Sequence, residues 1–374
     1  MKILFLIPSL RAGGAERVAS LLCNNWANTG HEVILVTFDA PEHDFYKTTL
    51  GSNARYSIGS YVTHRNPLKK IYSNITRLFR TRNIISKQQP EIVISFMDMP
   101  NIIATLACLF TKIPVVISER IYPPYYNHYN LLDIIKRIIY RFCDAFVGQT
   151  KVVAKWAEEF LPVQKIFTIP NPINNQMSNI SHVLQLTNAR ENIILAVGRL
   201  SRQKGFDMLI AAYHKFHQRY PDWRLLILGE GQERENLTSQ IKESGLLDKV
   251  LLTGETRSPE VYYRSSKIFV LSSRVEGFPN ALLEAMVYGL AVLSFDCKSG
   301  PSEIITNGVN GLLIPANDID ALAAAMEELI KNEELRKNLS KEAVRVSNKY
   351  DIEVISEEWM KVFRATVYKS KYVR

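Results

Sequence analysis

A chain of 374 residues with 47% hydrophobic content is long for a single core and too apolar to stay unfolded, so two globular domains are expected. Its apolar runs, such as Ile102–Phe110, fall far short of the ~20 residues that span a bilayer. Cys23, Cys108, Cys143 and Cys297 form no CxxC pair, which argues against a zinc site or redox dithiol and for free thiols in a reducing cytoplasm.

The net charge of +9 is uneven, because residues 1–178 hold 20 Lys and Arg against 12 Asp and Glu. The first half is therefore the one to meet an anionic partner, unless the charge serves solubility alone. The opening Lys2–Ile7 lacks the basic leader and long apolar region of a secretion signal and reads as a first β-strand. Further short, β-branched runs follow at Val33–Phe38, Ile92–Phe96, Val115–Ser118, Ala145–Val147 and Ile166–Ile169. Helical patterns separate them at Ala15–Asn28, Asn101–Phe110, Asp133–Phe142 and Lys151–Phe160.

After the polar stretch Asn171–Ala189 the alternation restarts, with strands at Ile193–Val197, Leu225–Leu228, Val250–Leu252, Ile268–Leu271, Ala291–Ser294 and Gly311–Ile314. Alternating strands and helices predict α/β architecture: two Rossmann-like, doubly wound domains, 1–178 and 179–374, facing a cleft. The last helix has the option of packing back on the first domain. In such sheets ligands bind beyond the carboxyl ends of the strands, so the loops there are the places to look for chemistry.

Three loops qualify. After the first strand, Gly13 and Gly14 open a helix and let backbone approach a phosphate, although a Gly-Gly turn is often only a turn; the segment is not GxGxxG, so no dinucleotide cofactor is indicated. After Ile193–Val197 come Arg199 and Lys204, two cations able to neutralise a leaving diphosphate, or else two solvated surface charges. After Ile268–Leu271 come Glu276, Gly277, Phe278, Pro279 and Asn280, with Glu284 eight residues beyond Glu276. Asn280 is placed to cap the helix carrying Glu284, and amides at 278–281 would suit anionic oxygens. A carboxylate can also accept bonds from ribose or sugar hydroxyls.

Together, and in this order, the early Gly-Gly-Ala-Glu turn, the Gly-Arg-Leu…Lys-Gly loop and the E-x7-E element resemble the GT4-type retaining glycosyltransferases of GT-B fold. The resemblance implies that Arg199 and Lys204 bind the UDP diphosphate, Glu284 the ribose and Glu276 the donor sugar, with Gly277–Asn280 lining sugar and phosphate. It implies front-face transfer that needs no metal and no cofactor, the UDP-sugar being a substrate. Ile94–Asn101 and Val116–Arg120 are similar to the PglH-type N-acetylgalactosaminyltransferases of lipid-linked oligosaccharide assembly. Where that subgroup has His, this chain has Arg120, which cannot act as a neutral base; it is read instead as binding a phosphate or holding Glu119.

Between Phe45 and Pro90 there are nine Lys and Arg and no acidic residue. From Asn66-Pro67 to Lys87 a helical wheel gathers Lys69, Lys70, Arg77, Arg80 and Lys87 on one side and Leu68, Ile71, Ile75, Leu78, Phe79 and Ile85 on the other. The basic face is read as binding phosphates of anionic lipid or of a lipid diphosphate acceptor; the plain alternative is a surface helix whose apolar stripe covers the core. Leu131–Phe142, with Lys136, Arg137 and Arg141, would add to the same surface. No nucleic-acid motif accompanies the charge.

The expected protein is thus a transferase at the inner face of the cell membrane, using a nucleotide-sugar donor and a lipid-linked saccharide acceptor. The alternatives are a GT-B-fold UDP-sugar epimerase and a non-catalytic membrane- or polyanion-binding protein.

Overall fold

In the computed structural model, residues 1–51, 54–59, 67–123, 131–174 and 190–372 are described. The expected boundary at 178 lies outside them. The chain divides into two compact units: Met1–Pro172 together with Tyr350–Arg374, and Ile173–Lys349.

Unit one is built on seven parallel strands: β1 (Lys2–Ile7), β2 (Glu32–Thr37), β3 (Arg55–Ser57), β4 (Ile92–Phe96), β5 (Val115–Ser118), β6 (Ala145–Gly148) and β7 (Ile166–Thr168). They lie in the order β3-β2-β1-β4-β5-β6-β7. Helices α1 (Gly14–Asn28), α2 (Pro67–Gln88), α3 (Asp98–Cys108), α4 (Leu131–Tyr140) and α5 (Lys151–Ala157) connect them. The short β3 stands where no strand was read.

The strands are apolar on both faces because both are covered. Alternation along β1 sends Ile3, Phe5 and Ile7 to one side and Leu4 and Leu6 to the other. On the first side Phe5 meets Trp26 of α1, ring centroids 6.1 Å apart. That side is closed by the final helix, Ile352–Tyr372, whose Phe363 lies 5.3 Å from Trp26 and whose Trp359 lies 5.8 Å from Phe96. The other side carries α2, α3, α4 and α5, through Ile85, Ile103, Tyr140 and Trp156.

Unit two has six parallel strands: β8 (Ile193–Val197), β9 (Arg224–Leu228), β10 (Val250–Gly254), β11 (Ile268–Leu271), β12 (Ala291–Asp296) and β13 (Leu312–Pro315), ordered β10-β9-β8-β11-β12-β13. Its helices are α6 (Phe206–His214), α7 (Arg234–Glu243), α8 (Glu260–Ser265), α9 (Asn280–Val287), α10 (Pro301–Ile304), α11 (Ile319–Lys331) and α12 (Glu333–Arg345). The helix that closes unit one is α13. In both sheets the order reverses beside the first strand, the Rossmann arrangement that leaves a loop crevice at the carboxyl ends. Polar side chains start the helices at α11 and α12: Asp318 accepts from Ala321 N and Asn332 from Leu335 N, each at 2.9 Å.

Candidate active site

Two loops of unit two, after β8 and after β11, are fastened together by side chain and backbone. Gly205 follows a 3-10 turn, Arg202–Lys204, at φ +64°, and a Cβ there would stand 2.1 Å from the Ser272 carbonyl oxygen. Only glycine permits both the left-handed backbone and this approach. Ser272 Oγ donates to the Lys204 carbonyl at 3.0 Å, Gln203 Nε2 to the Val275 carbonyl at 3.0 Å, and Arg274 N to the Gln203 carbonyl at 2.8 Å. The Arg274 guanidinium donates to the Arg202 carbonyl at 2.7 Å and grips both Asp207 oxygens at 2.8 and 2.6 Å. Burial raises the Asp207 pKa, but the Arg274 hydrogen bonds and charge outweigh it and hold the carboxylate below its usual range.

This fastening puts Lys204 Nζ 2.6 Å from Glu276 Oε1, which also accepts from Ser273 Oγ at 2.6 Å. Glu276 is 4% exposed, so its charge is compensated by a cation and a hydroxyl rather than by water. Arg199 lies in the same loop after β8, exposed, its guanidinium in no ion pair among the described residues. Such a cation is free to meet an anionic ligand.

Glu284, 8% exposed, faces into α9's surroundings rather than solvent. Tyr263 of α8 donates to its Oε2 at 3.1 Å, and the Tyr263 ring stacks on Tyr288 at 5.3 Å with 4° between planes. Arg190 bonds the Tyr288 and Gly289 carbonyls, the latter at 2.6 Å, and so pins the end of α9 where the helix dipole is negative. Asn280 is the first residue of α9, with Pro279 in the cap position, so it does not cap that helix as its sequence position had implied. The amide row at 278–281 is also thinner than expected: Pro279 has no N–H, and Asn280 N already donates to the Phe278 carbonyl at 3.0 Å. Gly277 is held instead by Ser299 Oγ, which donates to its carbonyl at 3.0 Å.

In unit one, Gly13 precedes α1, and a Cβ there would lie 2.2 Å from a Glu16 carboxylate oxygen, so glycine makes room for that side chain. Arg120 follows β5 and is half-buried, its guanidinium 4.0 Å over the Phe96 ring. It donates to Ser118 Oγ at 3.2 Å and to Asn171, and the Gln149 side-chain oxygen faces it at 3.1 Å. Burial pushes its pKa down to about 9, partly offset by the charge of Glu16, so it stays a cation at neutral pH.

Arg120 does not hold Glu119. That carboxyl accepts from Tyr140 Oη at 2.6 Å and lies 3.5 Å from Lys136 Nζ; burial first, then the charge of Asp98, push its pKa up to about 8.

The basic faces are only partly where the wheel put them. Arg77 lies 4.4 Å over the Phe38 ring and bonds Asn74 at 2.8 Å, while Arg80 donates to the Ile58 carbonyl at 3.1 Å, so both fasten α2 to its own domain. Lys69 and Lys70 are exposed, and so, against the plain alternative, are Leu68, Ile71, Ile75 and Phe79; of the apolar stripe Ile85 is buried and Leu78 packs against the core. In α4, Lys136 points inward and Arg137 is paired with Asp133 and Glu159, leaving Arg141 as the exposed cation of that segment.

The sequence pointed to Lys204, Glu276 and Glu284 but not to Arg274, Gln203, Ser273, Tyr263 or Arg190. Of these Arg274 alone carried a signal, a permanent cation two residues before Glu276 at a strand's carboxyl end.

Residues 181–346 match the family described as glycosyl transferases group 1, and residues 12–176 match glycosyltransferase family 4. The chain is 30% identical over 365 residues to the Campylobacter jejuni GalNAc-alpha-(1->4)-GalNAc-alpha-(1->3)-diNAcBac-PP-undecaprenol alpha-1,4-N-acetyl-D-galactosaminyltransferase, covering 97% of this chain and 98% of that one. It is 27% identical to the amylovoran biosynthesis glycosyltransferase AmsD of Erwinia amylovora, over 96% of this chain and 98% of that one. Among solved structures, Anabaena HepE in complex with UDP and glucose superposes with a TM-score of 0.80 at 18% identity, over 97% of this chain and 99% of that one, a likeness of fold.

Proposed function

The chain belongs to the family 4 glycosyltransferases and resembles their PglH-type members, and from that premise we propose a retaining, metal-independent transfer of a hexose or N-acetylhexosamine from a UDP-sugar to a polyprenyl-diphosphate-linked saccharide. The observation that carries this reading is the Lys204–Glu276 contact of 2.6 Å, a cation and a carboxylate from two fastened loops.

In the donor complex Lys204 and Arg199 take the diphosphate oxygens, and Gly277–Asn280 line the phosphate and sugar. Glu284, oriented by Tyr263, accepts from the ribose hydroxyls, and Glu276 accepts from hydroxyls of the donor sugar. The bond from the anomeric carbon to the phosphate oxygen breaks as the bond to the acceptor oxygen forms on the same face. The departing phosphate takes the acceptor proton, and the cations stabilise its growing charge. In this reading Lys204 and Arg199 supply the neutralisation that a metal supplies elsewhere.

On the acceptor side, the proposed phosphate contacts are Lys69 and Lys70, exposed at the start of α2, and Arg120, whose buried partners are all uncharged. Among the described residues no helix is long and apolar enough to cross a membrane. A peripheral position on the inner face of the cell membrane follows from the proposed acceptor.

A panel of UDP-sugars, each with and without polyprenyl-diphosphate saccharides, tests the reading, with product mass and anomeric configuration read out. Transfer with retained configuration and without added divalent metal is expected. Conversion of a UDP-sugar in the absence of acceptor would replace the transferase by an epimerase, and binding without any turnover would leave a non-catalytic protein.

A further inference from the structure

Strand order gives the loop of Glu276 two neighbours. β11 lies between β8 and β12, so the loop after it is flanked by the loop after β8 on one side and by Cys297–Gly300, after β12, on the other. Toward β8 it is fastened through Gln203, Lys204 and Arg274. The segment on the β12 side has no part in the transfer proposed above, yet it closes on the same loop.

Ser299, 2% exposed, donates through Oγ to the Gly277 carbonyl at 3.0 Å. Gly300, at φ +101°, comes so near that a Cβ would stand 2.6 Å from Pro279 Cδ, 3.3 Å from the Gly277 oxygen and 3.5 Å from Phe278 Cα. Only glycine allows that approach in that conformation. Cys297 is buried behind the loop: burial first, then the charge of Glu276, push its thiol up to about 12.

In a trans peptide the N–H points opposite to the C=O. With the Gly277 oxygen drawn to Ser299 on the β12 side, the Phe278 N–H is turned toward the β8 side, where Arg199 and Lys204 stand. Pro279 offers no N–H and Asn280 N is used within the loop, which puts the weight on this one peptide. Without the Ser299 hydroxyl the buried Gly277 carbonyl would lose this partner, and rotating the peptide toward another would carry the Phe278 N–H away.

We propose that Ser299 is a positioning residue for nucleotide-sugar binding: it fixes the Gly277–Phe278 peptide so that the Phe278 N–H meets the diphosphate-sugar part of the ligand. Ser299 itself touches no substrate. The proposal rests on the reading of these loops as the nucleotide-sugar site and is measured by binding, without turnover.

The full chain with isotope-labelled phenylalanine is titrated with uridine, UDP-glucose and UDP-N-acetylgalactosamine, and Phe278→Tyr assigns the Phe278 amide. A UDP-sugar should move that amide proton downfield, as a new hydrogen bond does, and uridine should not. In calorimetry Ser299→Ala should bind the UDP-sugar about tenfold more weakly, the loss of one well-placed hydrogen bond, and uridine within about twofold of the parent. Should Ser299→Ala fail to fold, Ser299→Cys, of similar size with a weaker hydrogen-bond donor, carries the same contrast.

A Phe278 amide that does not respond to a bound UDP-sugar overturns the proposal, as does unchanged UDP-sugar affinity in the variant. Equal weakening of uridine and UDP-sugar overturns it too, because the hydroxyl would then support the fold alone. A parent that binds neither uridine nor a UDP-sugar removes the reading of the site and this proposal with it. The expected contrast in a protein without transferase activity supports the role of Ser299 and removes the transferase reading alone.

Discussion

The fastened loops of unit two and the α2–α4 face of unit one solve the problem of placing charge in opposite ways. In unit two, charged groups converge and are compensated on the spot, so Lys204, Glu276 and Glu284 are each held by named partners. In unit one, the charges of α4 turn inward and most of its aliphatic side chains turn outward. A site that binds small polar molecules needs fixed donors and acceptors, whereas a docking face needs exposed apolar area.

The largest way to break the contrast is at Lys204. Lys204→Ala should lower kcat/KM for transfer about 100- to 1,000-fold, the usual loss when one group that stabilises developing charge is removed. Steady-state kinetics giving an unchanged value would take the proposed chemistry out of these loops.

Next comes the fastening itself. Arg274 touches Asp207 and the Arg202 carbonyl, so it acts on Lys204 and Glu276 only by holding their loops. Arg274→Ala should cost about tenfold or more in kcat with little change in acceptor KM, since misplacing reacting groups by about an ångström is expensive. Arg274→Lys should recover little, because one ammonium cannot replace a forked guanidinium on two oxygens. Equal kcat in all three enzymes, at equal thermal stability, would make the fastening ornamental.

A smaller effect is expected at Tyr263. Tyr263→Phe removes one hydrogen bond to Glu284, worth about 1 kcal/mol, and should raise the donor KM a few-fold while kcat holds. UDP-binding calorimetry checks the same loss directly.

The inward charges of unit one act on stability and leave turnover the least affected. Because burial raises the Glu119 pKa from the usual carboxylate range to about 8, the folded state favours the protonated acid. Its contribution to stability is full below the unfolded pKa and declines as pH rises through the folded one. Melting temperature followed from pH 5 to 9 should therefore fall less steeply in Glu119→Gln than in the parent. Parallel curves would mean that Glu119 is ionised throughout.

Much of this could be read from the residues in order. Strands covered on both faces spell themselves out as runs such as Ile92–Phe96, and the loop residues Lys204, Glu276 and Glu284 declare their chemistry by type and place. A helical wheel, by contrast, separates two faces without saying which one the domain covers. For α2 the buried arc runs through Thr81 and Ile85, so it takes in Arg77 and leaves Leu68 and Phe79 outside. Arg274 and Asp207 are 67 residues apart, and Arg190 reaches a carbonyl 99 residues away. Such pairings are set by strand order, which no local pattern records. Asn280 was misread for a local reason, because Pro279 already holds the cap position.

The placement of α13 has a consequence for how the protein is made. Trp359 and Phe363, near the end of the chain, complete the core that Phe5 and Trp26 begin. On the ribosome, unit two has its whole sequence available by Lys349, while unit one still waits for α13 to emerge. Unit one is thus completed after unit two, and a chain cut short before α13 would leave Trp26 and Phe96 without the rings that cover them.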